Sequence, residues 1–149
     1  MPRRSDIFSK VEYGRLNGRQ QEVHNFHQIA ARLAQYGYAT YPIRDDWNGG
    51  DMIARHMLDS RKPTLTIQVK GRMTFAKKYL EKDLWLAFPF KEMVYVFPHD
   101  LVLRRYLALR KAKRSPLDNN NSWAKGGLVS WRRPTADILE ILKPYTLSP

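Results

Sequence analysis

The chain has no cysteine. Disulfides, thiolate metal centres and a nucleophilic thiol are therefore excluded, and a reducing intracellular setting is the default expectation. Long apolar runs are also missing. The longest, Leu84 to Phe90, is interrupted by Pro89 and is far shorter than the roughly 20 residues a bilayer-spanning helix needs. The N-terminus is basic and polar, without the apolar segment of a secretion signal. These absences lead us to expect a cytoplasmic protein with no membrane partner, nucleoid-associated if bacterial or phage. Acidic residues are scarce: 14 Asp and Glu stand against 26 Lys and Arg, a formal charge of +12 over 149 residues. Such an excess sets up a positive field that attracts polyanions, of which nucleic acid is the commonest. A basic adaptor that binds an acidic protein is the other class this charge leaves open.

Hydrophobic residues make up 43% of the chain, enough for a true core in a single domain. Residues 1–19 read as a basic arm carrying Arg3, Arg4, Lys10, Arg15 and Arg19, with a short helical turn around Phe8 to Tyr13. Such an arm can track a phosphate backbone or serve as a solubilising tail. From Gln20 to Tyr36 the apolar spacing of Val23, Phe26, Ile29, Ala30, Leu33 and Ala34 predicts a helix, closed by Gly37. Strands are expected at Tyr38 to Ile43, Asp51 to Arg55, Leu65 to Lys70, Leu84 to Phe88 and Met93 to Phe97. A helix from Asp100 to Lys113 would turn Leu101, Val102, Tyr106, Leu107 and Leu109 inward. Its other surface would show Arg104, Arg105 and further basic residues, as a nucleic-acid contact or a solvated face. Ser115 to Gly127 reads as a polar loop. A strand at Leu128 to Trp131 and a short helix begun by Pro134 and Thr135 follow. The expected architecture is α/β (α+β), a central mixed sheet flanked by helices, with a core over residues 20–114 and a small extension over 115–149.

One stretch stands out, from Trp47 to Arg72. Asp51 opens the apolar run Met52-Ile53-Ala54, preceded by Gly49-Gly50, which allow close approach of backbone or substrate. In the next run, Gln68 and Lys70 alternate with Ile67 and Val69, so they share one face of a strand. If the two strands are neighbours, Asp51, Gln68 and Lys70 converge. Phosphodiester hydrolysis needs developing charge neutralised and a water aligned. Mg²⁺ supplies much of this and is held by one or two carboxylates plus waters and substrate oxygens. Asp51 is the best ligand, Gln68 offers a weaker amide oxygen, and Lys70 is a point charge for the phosphate or the attacking water. Glu22, preceding Phe26 and Ile29 on one helical stripe, is expected near the inward face, where a carboxylate needs a cation or a donor.

Helix with Glu22, then G-G-D-M-I-A at Gly49 to Ala54, then I-Q-V-K-G-R at Ile67 to Arg72 resembles the PD-(D/E)XK nuclease superfamily. The likeness is greatest to small Holliday-junction resolvases and compact restriction or homing endonucleases. It covers Gln20 to Phe97. The resemblance implies a restriction-endonuclease-like core in which Asp51 is the central metal-binding acid and Lys70 the motif lysine. Gln68 would stand where the second acid usually stands, and Glu22 would be the helix-borne acid. Gly50 replaces the motif proline. Gln68 removes one negative charge, so metal binding should be weaker, and a catalytically degenerate, binding-only descendant stays open.

The expected activity is thus that of a Mg²⁺-dependent DNA endonuclease, with Mn²⁺ as a substitute, acting on duplex or branched DNA. Cutting two strands needs two sites, hence a homodimer or larger homo-oligomer. Candidate DNA contacts are Arg19, Trp47, Arg72, Lys77, Lys78, Lys82, Arg104 and Arg105. His24 and His27 are read as surface histidines and His99 as a turn residue. Asp45 and Asp46 are loop acids that could assist a second metal.

Overall fold

The computed structural model describes residues 1–44 and 49–149. After a short helix α1 (Arg4–Ile7) and a 3₁₀ turn (Tyr13–Arg15), the chain enters α2 (Gly18–Gln35). The helical turn expected around Phe8 to Tyr13 is therefore displaced to either side. A capping box starts α2: Gln20 N–H donates to Asn17 Oδ1 and Asn17 N–H to Gln20 Oε1, each at 2.9 Å. Gly37, at φ +86°, ends it, its N–H donating to Ala34 O.

Among the described residues a six-stranded sheet runs β1 (Tyr38–Pro42), β2 (Met52–His56), β3 (Leu65–Val69), β5 (Trp85–Phe90), β6 (Met93–Pro98) and β8 (Thr146–Leu147), in that spatial order. All neighbours are antiparallel except β3 and β5, which are parallel. The sheet is thus mixed, with helices on its faces, as the patterning predicts. Parallel neighbours require a crossover. Here it contains β4 (Met73–Ala76), a strand the sequence reading omits. β4 leaves the main sheet and pairs with β7 (Leu128–Trp131) in a separate two-stranded ribbon.

The pleat divides two cores. On one face Met52, Ala54, Leu65, Ile67, Ala87 and Val96 meet the α2 stripe of Ile29 and Leu33. On the other, Leu86, Phe88 and Phe97 meet the ribbon, α3 (His99–Ala112) and α5 (Ala136–Leu142). Phe75 lies at the centre of this second core, with the rings of Tyr106, Trp131, His99 and Phe97 at 5.5–6.3 Å. The inward residues of α3 are Val102, Leu103 and Tyr106; Leu101 and Leu109, expected inside, are only half-buried. The expected loop from Ser115 to Gly127 contains a helix, α4 (Asn121–Gly126), because Asn120 Oδ1 accepts from Trp123 N–H and so caps it. Residues 115–149, read as an extension, supply β7, β8, Trp123, Ile138 and Leu142 to the same fold and core. No helix among the described residues is long and apolar enough to cross a membrane.

His99, expected as a turn residue, is instead the first residue of α3 and is wholly buried. Its Nε2 accepts from Ala76 N–H at 3.2 Å and its Nδ1 lies 2.9 Å from Asp100 Oδ1, which assigns the neutral ring a proton on Nδ1. Burial pushes its pKa below 6.5, against the smaller opposing pull of Asp100. A buried neutral base binds fewer protons than its unfolded counterpart. Its contribution is therefore complete above the unfolded pKa and is lost as pH falls through and below it, at no more than about 1.4 kcal/mol per pH unit. Urea unfolding across this range should show that slope in the wild type and a shallower one in His99→Gln.

Candidate active-site cleft

The β2–β3 ladder ends at Met52–Ile67. At Asp51 the register slips by one, so that Asp51 as well as Met52 meets Ile67. Backbone bonds continue there: Asp51 N–H donates to Ile67 O at 2.8 Å, and Ile43 N–H to Asp51 O at 2.9 Å. Beyond them the Asp51 side chain takes over, its Oδ2 accepting from Val69 N–H at 2.8 Å. A carboxylate thus stands where the next strand carbonyl would have stood. That bond fixes its orientation and leaves the group at the open end of the strand pair.

Gly50 sets the approach. A Cβ there would lie 2.6 Å from Thr66 Cγ2 and 3.3 Å from Ile43 Cδ1. The residue before Asp51 is glycine because the neighbouring strands close over it. Gly50→Ala should cost about 1–3 kcal/mol by overpacking, and Thr66→Ser, which deletes the clashing methyl, should recover most of that loss in a double-mutant unfolding cycle.

Glu22, Asp51, Gln68 and Lys70 all line one cleft of 820 Å³. Gln68 and Val69, neighbours on opposite faces of the pleat, both border it, so the cleft sits over the strand ends and not on one face of the sheet. Lys70 is anchored by its N–H to Ala87 O at 2.8 Å, which continues β3 alongside β5. Its Nζ lies 5.3 Å from the Tyr79 ring centroid, and Lys78 Nζ stands 5.2 Å from the same buried ring. An ammonium is attracted to an aromatic face.

Glu22 departs from expectation in one respect. It lies on the stripe that continues as Asn25, Ile29 and Leu33, yet it is exposed. The stripe that packs on the core at Ile29 borders the open cleft at Glu22. Val23, expected inside, is 52% exposed for the same reason.

Asn25 was not singled out in the sequence, although a buried amide in mid-helix is a usable signal. It is 4% exposed, and its Nδ2 donates to Tyr13 Oη at 2.9 Å, tying the N-terminal segment to α2 beside Gly71. Arg44 and His27 also line the cleft.

The other expected DNA contacts separate. Arg19 borders the same cleft. Arg72 borders a second groove of 660 Å³ that shares Lys70 and Gly71 with the first. Lys77 Nζ lies 5.2 Å from the Trp123 ring. Lys82, Arg104 and Arg105 are exposed but line neither opening. Trp47, Asp45 and Asp46 fall outside the described residues. His24 and His27 are exposed, as read from the sequence.

Among the described residues no three His, Cys, Asp or Glu side chains cluster as a metal site. The cleft instead offers two carboxylates, Asp51 and Glu22, and the Gln68 amide, beside Arg19, Arg44 and Lys70. That donor set fits Mg²⁺, which binds through one or two carboxylates and retains several waters, better than an ion needing a closed protein cage. Compared with protein-family models, curated proteins and solved structures, the chain matches none.

Proposed function

We propose that this protein is a metal-dependent endonuclease that hydrolyses phosphodiester bonds in duplex or branched DNA, with a core resembling that of the PD-(D/E)XK nucleases. The reading rests on one observation: Asp51, Gln68, Lys70 and the helix-borne Glu22, drawn from three separate elements, line a single cleft. Asp51 and Glu22, with the Gln68 amide oxygen, would hold Mg²⁺, or Mn²⁺ in its place. The ion, when bound, supplies charge neutralisation at the reacting phosphate. Lys70 contributes a fixed positive charge to the phosphoryl oxygens or holds the attacking water in line. Arg19 and Arg44 neutralise flanking phosphates. Water oxygen bonds to phosphorus as one ester P–O bond breaks, and the departing oxygen takes up a proton.

A second reading, a binding-only protein of the same fold, is favoured by Gln68 in place of an acid. The experiment is incubation with supercoiled plasmid and branched DNA in Mg²⁺, Mn²⁺ or EDTA, beside Asp51→Asn and Lys70→Ala. Cleavage confined to the wild type with metal is the expected result. Cleavage that persists in EDTA, or in both variants, counts against the nuclease reading. Tight, salt-sensitive binding without cutting favours the second reading, and absence of DNA binding at low salt leaves an adaptor for an acidic protein. Light scattering should report the dimer or larger oligomer that a double-strand cut requires.

A further inference from the structure

The β4–β7 ribbon carries an arrangement that the hydrolytic site does not explain. Its register pairs Met73 with Trp131 and Thr74 with Ser130. One step further sets Arg72 across from Arg132. Like charges directly opposite on paired strands are destabilising, and no ion pair with either guanidinium forms among the described residues. The ribbon is two-faced. Met73, Phe75, Val129 and Trp131 enter or pack on the core, while Arg72, Thr74, Ser130 and Arg132 line the second groove. No carboxylate lines that groove among the described residues. Lys70 and Gly71 belong to both openings, so the groove continues directly from the proposed hydrolytic cleft. Tyr13, held by Asn25, forms part of its wall.

Two opposed guanidiniums with a hydroxyl beside them match an anion with several acceptor oxygens and a spread charge, and the continuity at Lys70 selects a polymer of such anions. We infer that the β4–β7 ribbon is a second phosphate-binding site, in which Arg72 and Arg132 clasp a backbone phosphate of the DNA strand whose scissile phosphate lies at Lys70. This rests on the nuclease reading of the neighbouring cleft. The anion offsets the repulsion between the two arginines, so the ribbon's charge is useful only with the strand in place.

The test measures binding of a labelled DNA duplex in EDTA by the full chain carrying Asp51→Asn, with and without Arg72→Gln and Arg132→Gln. Affinity is followed between roughly 50 and 200 mM salt. The slope of log affinity against log salt should fall by about one with both arginines replaced, since the single phosphate they clasp accounts for about 0.9. The melting temperature of the free protein should hold or rise, because a repulsion has been removed. Replacing both by lysine should restore most of the slope. An unchanged slope, or a slope lost only together with the fold, overturns the ribbon site while leaving the nuclease reading intact. A chain without Arg72 and Arg132 replaced that fails to bind DNA even at low salt overturns both.

Discussion

Asp51→Asn is expected to reduce metal-dependent DNA cleavage by at least about 10²–10³-fold, the loss typical of removing one well-placed electrostatic group from a reaction centre, with little change in stability. The two effects separate because of what the carboxylate does in the fold. Asp51 Oδ2 accepts from Val69 N–H, and an asparagine amide oxygen can accept the same bond, so the strand end keeps its closure. What disappears is the negative charge that would draw a cation. Asp51→Ala should behave differently: it removes both, leaves the half-buried Val69 N–H without its acceptor, and should cost about 1–3 kcal/mol in urea unfolding. Comparing plasmid cleavage and unfolding for the two variants distinguishes a catalytic acid from a structural cap. Equal activity in Asn and wild type would leave Asp51 only the structural task.

Gln68→Glu is expected to lower the Mg²⁺ concentration giving half-maximal cleavage, on the order of tenfold, because ligand charge is a principal determinant of hard-cation affinity. Gln68 and Asp51 line the same cleft, so the new carboxylate would share it with an existing one. Without metal the pair should repel, raising the apparent pKa of one member and lowering the melting temperature. With Mg²⁺ the same pair should bind more tightly and raise the melting temperature above its EDTA value by more than in wild type. Melting curves in EDTA and in a Mg²⁺ series read this without any need for turnover. If Mg²⁺ leaves the melting temperature of both proteins unchanged, the cleft does not hold the ion and the binding-only reading gains.

Much of this molecule was legible because it depends on local repeat geometry. The spacing of Phe26, Ile29, Ala30 and Leu33 marks α2, and the alternation of Gln68 and Lys70 with Ile67 and Val69 marks β3. Gly37 as a helix stop was equally plain. β4 is hard to read from sequence because Met73 to Ala76 is a run of only four residues, too short for its alternation to stand out. α4 was hidden by the run of asparagines, which reads as a loop although one of them is a helix cap. Glu22 was expected near the inward face because a helical wheel has no end, whereas the sheet that covers the stripe does.

What the chain determined by composition and pattern alone is its positive field, its freedom from thiol chemistry and the type of most elements. Only the tertiary structure decided that Asp51 meets Val69 N–H, that Glu22 borders the same opening, and that Arg72 and Arg132, from strands far apart in sequence, line one groove. The physical reason is a difference in range. Periodicity follows from the backbone geometry of a few successive residues, but pairing of distant strands is a contest among many possible partners, settled by which arrangement buries the most apolar surface for the loop entropy it costs.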